Sequence, residues 1–446
     1  MSDAALIPED DIRAEIENGP MSRFQILVIG ICWTINMLDG FDILAIAYTA
    51  AEIRGEWGIM PGDLGWVFSA GLIGMAVGAL ILAPIGDYIG RRAMILIGLA
   101  IITLGMFVTT YVESVIQMFA ARAFTGIGIG TILASLTTIT AEYSSDKHRN
   151  LAISILHMGY PVGAFLGGLV AVVLIGEFGW PAVFMFGASA SAIMIPLVLW
   201  YLPESLGYLI EKQPKDALKD FNAIMARMGR PAVDKLPEPK PIAPNADISV
   251  LVLFSREYLA PTLAIWFSFF MCMVALYFML SWTPTVVVDA GLTNDQGRFA
   301  GVLLNLGGAI LMVTLGWLSA RFPLKRVIQV FLLLSAVMSM IFAAAPLPTS
   351  LLMVFAFLMG FEMAGMVGLY SVAARLYPTE IRNTGVGWAI GIGRFGAILG
   401  PVFAGWMIAA ELERWTYFLA LAAGPAALAA LVISFVRLDN DAPLKK

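Results

Sequence analysis

Apolar residues run along this chain in long blocks instead of the two- or 3.6-residue alternation of a soluble domain. Windows of about 20 apolar residues recur along it, and a helix of that length, rising 1.5 Å per residue, crosses a hydrocarbon core of about 30 Å. The pattern predicts twelve membrane-spanning helices near 24–50, 62–85, 93–111, 115–140, 151–175, 180–201, 259–283, 297–319, 327–345, 349–376, 384–409 and 415–436. One long polar interruption, 203–258, divides them six and six. It ends in PAVDKLPEPKPIAPNAD, too rich in proline to pack as an element. Before that, Ala217, Leu218, Phe221, Ile224, Met225 and Met228 recur at helical spacing among Lys and Asp, which predicts a short amphipathic helix on the inner membrane surface. The segment reads either as a hinge between halves or as a plain tether.

Composition agrees with lipid as the solvent. Of 446 residues, 59% are hydrophobic and 13% charged, with mean hydropathy +0.84, whereas a soluble domain carries about a quarter charged residues. The fold class is therefore all-α polytopic membrane protein with twelve transmembrane helices in two six-helix bundles. The expected division is a cytoplasmic segment 1–23, a first bundle 24–202, the central loop 203–258, a second bundle 259–436 and a tail 437–446. A net charge of −5 and the lack of any basic stripe exclude nucleic acid as a partner. Cys32 and Cys272 lie in apolar spans without a CxxC pair and read as buried, inert thiols. The acidic N-terminus does not have the layout of a cleaved signal, so the first span is expected to stay in place.

Lys and Arg sort strongly by side. Arg13, Arg23, Arg91, Arg92, Lys147, Arg149, Arg321, Lys325, Arg326, Arg375, Arg382, Arg437, Lys445, Lys446 and those of loop 203–258 share one side; Arg54, Arg298 and Arg414 fall on the other. The positive-inside rule then puts both termini and the loop in the cytoplasm, and the chain in the inner membrane.

Two loop signatures occur twice. GDYIGRR after span 2 has a counterpart in SARFPLKR after span 8, and EYSSDKHRN after span 4 one in RLYPTEIRN after span 10. Both recur at the same offset, 382 − 149 = 233, so the halves are copies in parallel topology, a plan used by secondary transporters with a midplane cavity.

The 6+6 layout and the Gly/Asp/Arg-Arg loop resemble the major facilitator superfamily over nearly the whole chain. Within it, Asp39-Gly40-Phe41-Asp42 followed by VFSAGLIGMAVGAL and GDYIGRR is similar to the aromatic acid:proton symporters. That resemblance covers Asp39, Asp42, Arg122, Glu142, Arg382 and Arg394, and the loop residues Asp87, Gly90, Arg91 and Arg92. It implies import of a hydroxybenzoate-like aromatic carboxylate with protons. The chain departs from the pattern at Ala83, Ala320 and Lys325, and in EFGWPAVF, where a histidine is often found.

Charges inside a membrane cost about 2.5–3.5 kcal/mol each on insertion scales, so those present mark pathways or partners. Asp39 and Asp42, at i and i+3, share a helical face, and Gly40 between them admits a close neighbour. Helical rise puts Arg122 at similar depth, so one aspartate pairs with it while the other is left to hold and release a proton; the alternative is a static ion-pair triad. Arg394 is the first choice for the substrate carboxylate because guanidinium binds it with a two-pronged fork, and Arg122 is the second. Glu362 is the expected counter-ion of Arg394, displaced by substrate or permanently bridged. Phe41, Tyr277, Phe278, Trp282, Phe361, Tyr370 and Trp388 are candidate walls for an aromatic ring, although single aromatics more often face core or lipid. Asn36 and Asn305 would orient a ring hydroxyl or simply brace helices, and His157 is a relay candidate or a packing residue.

Gly126–Gly130, GIGIG, has no preceding strand and reads as close helix packing, not a nucleotide loop. At the inner loops, Asp87 with Arg91 and Arg92, Glu142 with Arg149, and Arg382, together with Gly90, are the expected gating set, forming ion pairs that hold the cytoplasmic side shut; basic loops also set topology without gating.

An anion moving inward against an inside-negative potential meets about 2.3 kcal/mol per charge per 100 mV, which one accompanying proton cancels. The expected function is proton-coupled uptake by alternating access, by a monomer, with no cofactor or metal and the proton gradient as drive. Alternatives are another organic acid, export by proton exchange, or a non-transporting receptor. HExxH, GxSxG, Cys-His and Walker patterns are missing, so an enzyme is not expected.

Overall fold

The computed structural model describes residues 19–236, 250–344, 347–377 and 379–436. The calls on the terminal segments fall largely outside these residues, as does the end of the Pro-rich stretch.

Twelve helices long and apolar enough to cross a membrane run through the described residues. Spans 1–6 are Arg23–Trp57, Pro61–Ile89, Arg91–Thr109, Val115–Glu142, Asp146–Phe178 and Pro181–Tyr201; spans 7–12 are Leu259–Asp289, Asn294–Ser319, Leu324–Ala344, Thr349–Leu376, Thr384–Ala409 and Arg414–Phe435. The expected spans are all present, and spans 1, 2, 5, 7 and 8 are longer by about a turn or more. The extra turns carry polar caps: Ser22 and Gln25 form a capping box at the start of span 1, and Thr293 and Gln296 repeat it at span 8.

The repeat offset seen in the loops recurs at four of the six pairs of corresponding helices. Pro61 and Asn294, Arg91 and Leu324, Asp146 and Thr379, and Pro181 and Arg414 start corresponding helices 233 positions apart (294 − 61 = 233). Spans 1–6 are thus matched one for one by spans 7–12.

Hydrophobic burial has little to discriminate inside lipid, so small residues and backbone contact bring the helices together. Spans 2 and 4 lie so close that a Cβ on Gly126 would sit 2.1 Å from the Gly71 oxygen, and one on Gly130 equally near that of Met75. The GIGIG run is therefore a packing surface. The halves meet along span 2 against 11, span 5 against 8, and span 1 against 7 and 8.

In the central loop, helix Ala217–Arg227 forms as expected, but its apolar face is not laid on lipid. Phe221 and Met225 are fully buried, and the Arg227 guanidinium lies 4.0 Å above the Phe24 ring at the base of span 1. This part of the loop is docked beneath the first six spans.

Candidate functional site

Gly40 does what close approach requires. A Cβ there would lie 2.0 Å from the Tyr160 carbonyl oxygen, so only glycine lets spans 1 and 5 touch at this level. Asn36, one turn earlier, donates from Nδ2 to the Leu156 oxygen at 2.6 Å and braces the same pair of helices.

The two aspartates stay within electrostatic reach of each other but meet different neighbours. Asp39 is buried within electrostatic reach of the Tyr160 hydroxyl. Asp42 is fully buried and turned toward span 6, where the absent Cβ of Gly187 would stand 2.9 Å from its Oδ1. Neither Asp42 oxygen has a hydrogen-bond partner. The expected carboxylate–guanidinium pair with Arg122 takes another form: Arg122 Nη2 donates to the Asp42 main-chain oxygen, Nη1 meets Met106 Sδ at 3.0 Å, and the guanidinium lies 5.7 Å over the Phe184 ring. The charge still lies close enough to act on the carboxylate. Arg122 is 1% exposed, enclosed by its own half, and is therefore not presented to a substrate here.

Toward the second half, a hydroxyl-rich cluster gathers from six spans. Tyr48 donates to the Ala164 oxygen at 2.9 Å and receives a long 3.4 Å contact from Asn305 Nδ2. The buried Tyr160 hydroxyl faces that of Tyr277 but has no partner at hydrogen-bond geometry, and Asn305 Oδ1 is likewise unpaired. Arg394 lies within electrostatic reach of the Tyr277 and Tyr370 hydroxyls and is only partly buried. Buried polar atoms without partners are rare in native structures and mark places where water or a ligand completes the bonding.

Several expected site residues belong elsewhere. Glu362 is fully buried with both oxygens unpartnered, and its polar neighbours are Cys272 and Ser335, not Arg394. Trp282 is buried too, donating from Nε1 to the Pro401 oxygen at 3.0 Å and standing edge-on to Phe68 at 5.1 Å, so it braces the seam between halves. Phe41 packs edge-on against Phe186 at 5.6 Å within the first half. Trp388 stacks on Trp266 at 5.9 Å near the start of span 7, a turn and a half from Arg394. Phe278 and Phe361 pair with Phe418 and Phe331 inside the second half. His157 is exposed, outside the cluster.

The loop set on the basic-rich face also differs from expectation. Asp87 pairs with Arg91 at 2.7 Å one turn away, Arg149 pairs with Asp146 at 2.8 Å, and Arg92 donates to the Leu199 oxygen. Glu142 accepts from Ser205 Oγ at 2.9 Å instead of pairing with Arg149, and Arg382 Nε reaches the Tyr377 oxygen at 3.4 Å. None of these contacts joins the two halves. Glu204, which sequence reasoning passed over, organises them: its Oε1 accepts from the main-chain N–H groups of Arg91, Arg92 and Ser205 at 2.8, 3.1 and 2.8 Å, capping span 3. Gly90 makes room for it, with φ 102° and a would-be Cβ 2.4 Å from Glu204 Oε2.

The ion pairs that do bridge the halves lie on the opposite, basic-poor face. Arg54 of span 1 holds Asp289 of span 7 through both carboxylate oxygens, at 2.8 and 3.0 Å. Arg298 of span 8 is bound between Glu52 of span 1 and Asp295. Trp66 and Trp406 meet at 6.2 Å beside them, and Ser69 Oγ donates to the Ile398 oxygen at 2.6 Å. This face is closed. The only sequence signal was that Arg54 and Arg298 stood on the wrong side of the charge asymmetry.

Twelve spans built as two parallel copies, closed on one face around a buried polar centre, define a secondary-transporter architecture. The model of the Major Facilitator Superfamily matches residues 32–367 and 284–446, and the chain belongs to that superfamily. It is 33% identical over 433 residues to a gallate transporter of Pseudomonas putida, covering 96% of each chain. To the 4-hydroxybenzoate transporter PcaK of Acinetobacter baylyi it is 33% identical over 431 residues, covering 95% of this chain and 93% of the relative. Among solved structures, a D-xylose-proton symporter superposes with a TM-score of 0.73 over 94% of this chain and 99% of its own; at 16% identity this speaks for the fold alone.

Proposed function

We propose that the chain imports a small hydroxylated aromatic carboxylate across the cytoplasmic membrane together with protons, by alternating access. The observation that carries this reading is the company of Arg394. A permanently charged fork stands near Tyr277 and Tyr370, with the partnerless Tyr160 hydroxyl and Asn305 Oδ1 supplied by other spans of the same cluster. A carboxylate suits the fork, a ring suits the tyrosine faces, and a ring hydroxyl suits the open donor and acceptor. The relatives named for gallate and 4-hydroxybenzoate favour that class.

Asp39 and Asp42 carry the protons in this reading. Asp42 is buried with no hydrogen bond to either carboxylate oxygen and with the Arg122 charge within reach, so a shift of the helices that changes either condition changes its hold on a proton. The face closed by Glu52–Arg298 and Arg54–Asp289 is the outer one, and the state is inward-facing; both termini are cytoplasmic and the monomer is the working unit. Turning outward separates those pairs.

Purified protein in liposomes with an inward-directed pH gradient, offered labelled 4-hydroxybenzoate, gallate, benzoate and xylose, tests the reading. Gradient-dependent accumulation of the hydroxylated benzoates over xylose is expected. Equal uptake with and without the gradient, or no uptake of any aromatic acid, refutes it.

A further inference from the structure

Glu362 takes no part in the site just described, and its surroundings repeat those of the aspartates. Position 272 stands 233 after Asp39 (272 − 39 = 233), and the Cys272 thiol is one of the two polar groups against Glu362. The other is the buried Ser335 hydroxyl of span 9. In the first half the buried polar cluster is built from spans 1, 3 and 4, through Asp39 and Asp42, Met106 and Arg122. In the second half the corresponding spans 7, 9 and 10 bring together Cys272, Ser335 and Glu362. The acid comes from the fourth helix of the repeat instead of the first, at the level of the same position.

The halves differ in one respect. Arg122 faces its aspartate, whereas the groups facing Glu362 are a thiol and a hydroxyl; span 8 brings Gly307 and Gly308 against the neighbouring Gly360, and Arg394 of span 11 is directed to Tyr277 and Tyr370. An ionised carboxylate so enclosed has no counter-charge beside it, only a hydroxyl and a thiol to donate to it, while the neutral acid can both donate to and accept from these two groups.

Span 10 is interrupted beside this group. Helix Thr349–Leu358 ends and Phe361–Leu376 begins, with tight bonds from Gly360 N–H to the Phe357 oxygen at 3.1 Å and from Glu362 N–H to the Met359 oxygen at 3.1 Å. The break falls where Gly360 presses on span 8, its would-be Cβ 2.3 Å from the Gly308 nitrogen. Glu362 thus stands in the first turn of a half-helix, whose N-terminal N–H groups favour negative charge once the break moves and water enters.

We propose that Glu362 is a second proton-binding site, seated in the C-terminal half on the helices that correspond to those of the aspartate cluster, and that it holds its proton while span 10 is packed as here and releases it when the Gly360 break shifts. The coupling part rests on the proton-driven reading above; the proton-binding part does not.

Infrared difference spectra of the purified full-length protein, recorded across a pH titration, separate the two. At neutral pH a protonated-carboxyl band is expected that disappears in Glu362→Gln, shifts in Glu362→Asp and survives in the Asp39→Asn/Asp42→Asn double variant. A spectrum of Glu362→Gln identical to wild type overturns the site. In liposomes the number of protons moved per substrate should fall by one in Glu362→Gln, with substrate affinity changed less than twofold. A lost band with an unchanged proton ratio overturns the coupling role and leaves a neutral packing acid. Wild-type protein that moves no protons at all would defeat the proposed function while leaving the band as the test of Glu362.

Discussion

Replacing Glu52 with Gln is expected to unlatch the outer face far more than any change at the neighbouring Arg54–Asp289 pair. The side chain of Arg298 is 6% exposed and that of Glu52 19%, so their bond is shielded from water; those of Arg54 and Asp289 are 31% and 40% exposed. A hydrogen bond to a charged group in such shelter contributes about 1.5–3 kcal/mol, and an exposed pair about 0.2–1 kcal/mol. Glu52→Gln keeps the side-chain shape but leaves Arg298 with Asp295 alone, whereas the outward-open state, in which Arg298 is hydrated, loses little. At 1.4 kcal/mol per decade, the outward-open population should rise about 10- to 150-fold, against no more than about fivefold for Asp289→Asn. With Cys32 and Cys272 replaced, a single cysteine at Gly62, which lies against Trp406 in the closed seam, reports opening through its rate of modification by a membrane-impermeant maleimide. Equal rates in Glu52→Gln and Asp289→Asn would refute the argument that burial concentrates the latch in Arg298.

Other outcomes follow from single contacts. Gly40→Ala puts a methyl group 2.0 Å from the Tyr160 oxygen, and overpacking of this kind costs about 1–3 kcal/mol, read as a lowered Tm in detergent; Gly30→Ala, with nothing within 4 Å, should leave Tm unchanged. Glu204→Ala removes the acceptor for the main-chain N–H groups of Arg91 and Arg92 at the start of span 3 and of Ser205, and should cost about 1–2 kcal/mol, again measured as Tm. Arg394→Lys keeps the charge but loses the fork, so KM for a hydroxybenzoate should rise about 10-fold or more while the fold persists; an unchanged KM would remove Arg394 from the site.

The architecture was legible because its signals are local. Apolar windows set the spans, and an offset of 233 visible in two loops recurs at the starts of the helices of spans 2, 3, 5 and 6 and their counterparts because the two copies differ little in length there. Within the site, Gly40 and Asn36 behaved as their chemistry suggested, since their partners lie on the helix that any close approach to span 1 would select. Orientation about the helix axis was not legible. Depth alone placed Trp282, Phe41 and Glu362 beside the cavity, but each turns toward another helix of the seam or core, and rise per residue carries no information about that rotation. The outer latch was hidden for a related reason: Glu52 and Arg298 are 246 positions apart, and only the packing of spans 1 and 8 brings them together. Tyr160 went unremarked because a tyrosine in an apolar helix has no sequence mark to separate a bonded hydroxyl from an open one.

The most direct test of proton coupling through span 1 compares wild type with Asp42→Asn in proteoliposomes. Two rates are measured for a labelled hydroxybenzoate: accumulation driven by a pH gradient, and exchange against the same substrate inside with no gradient. Asp42→Asn should retain exchange and lose gradient-driven accumulation. A variant that still concentrates substrate on the gradient as wild type does would contradict the account.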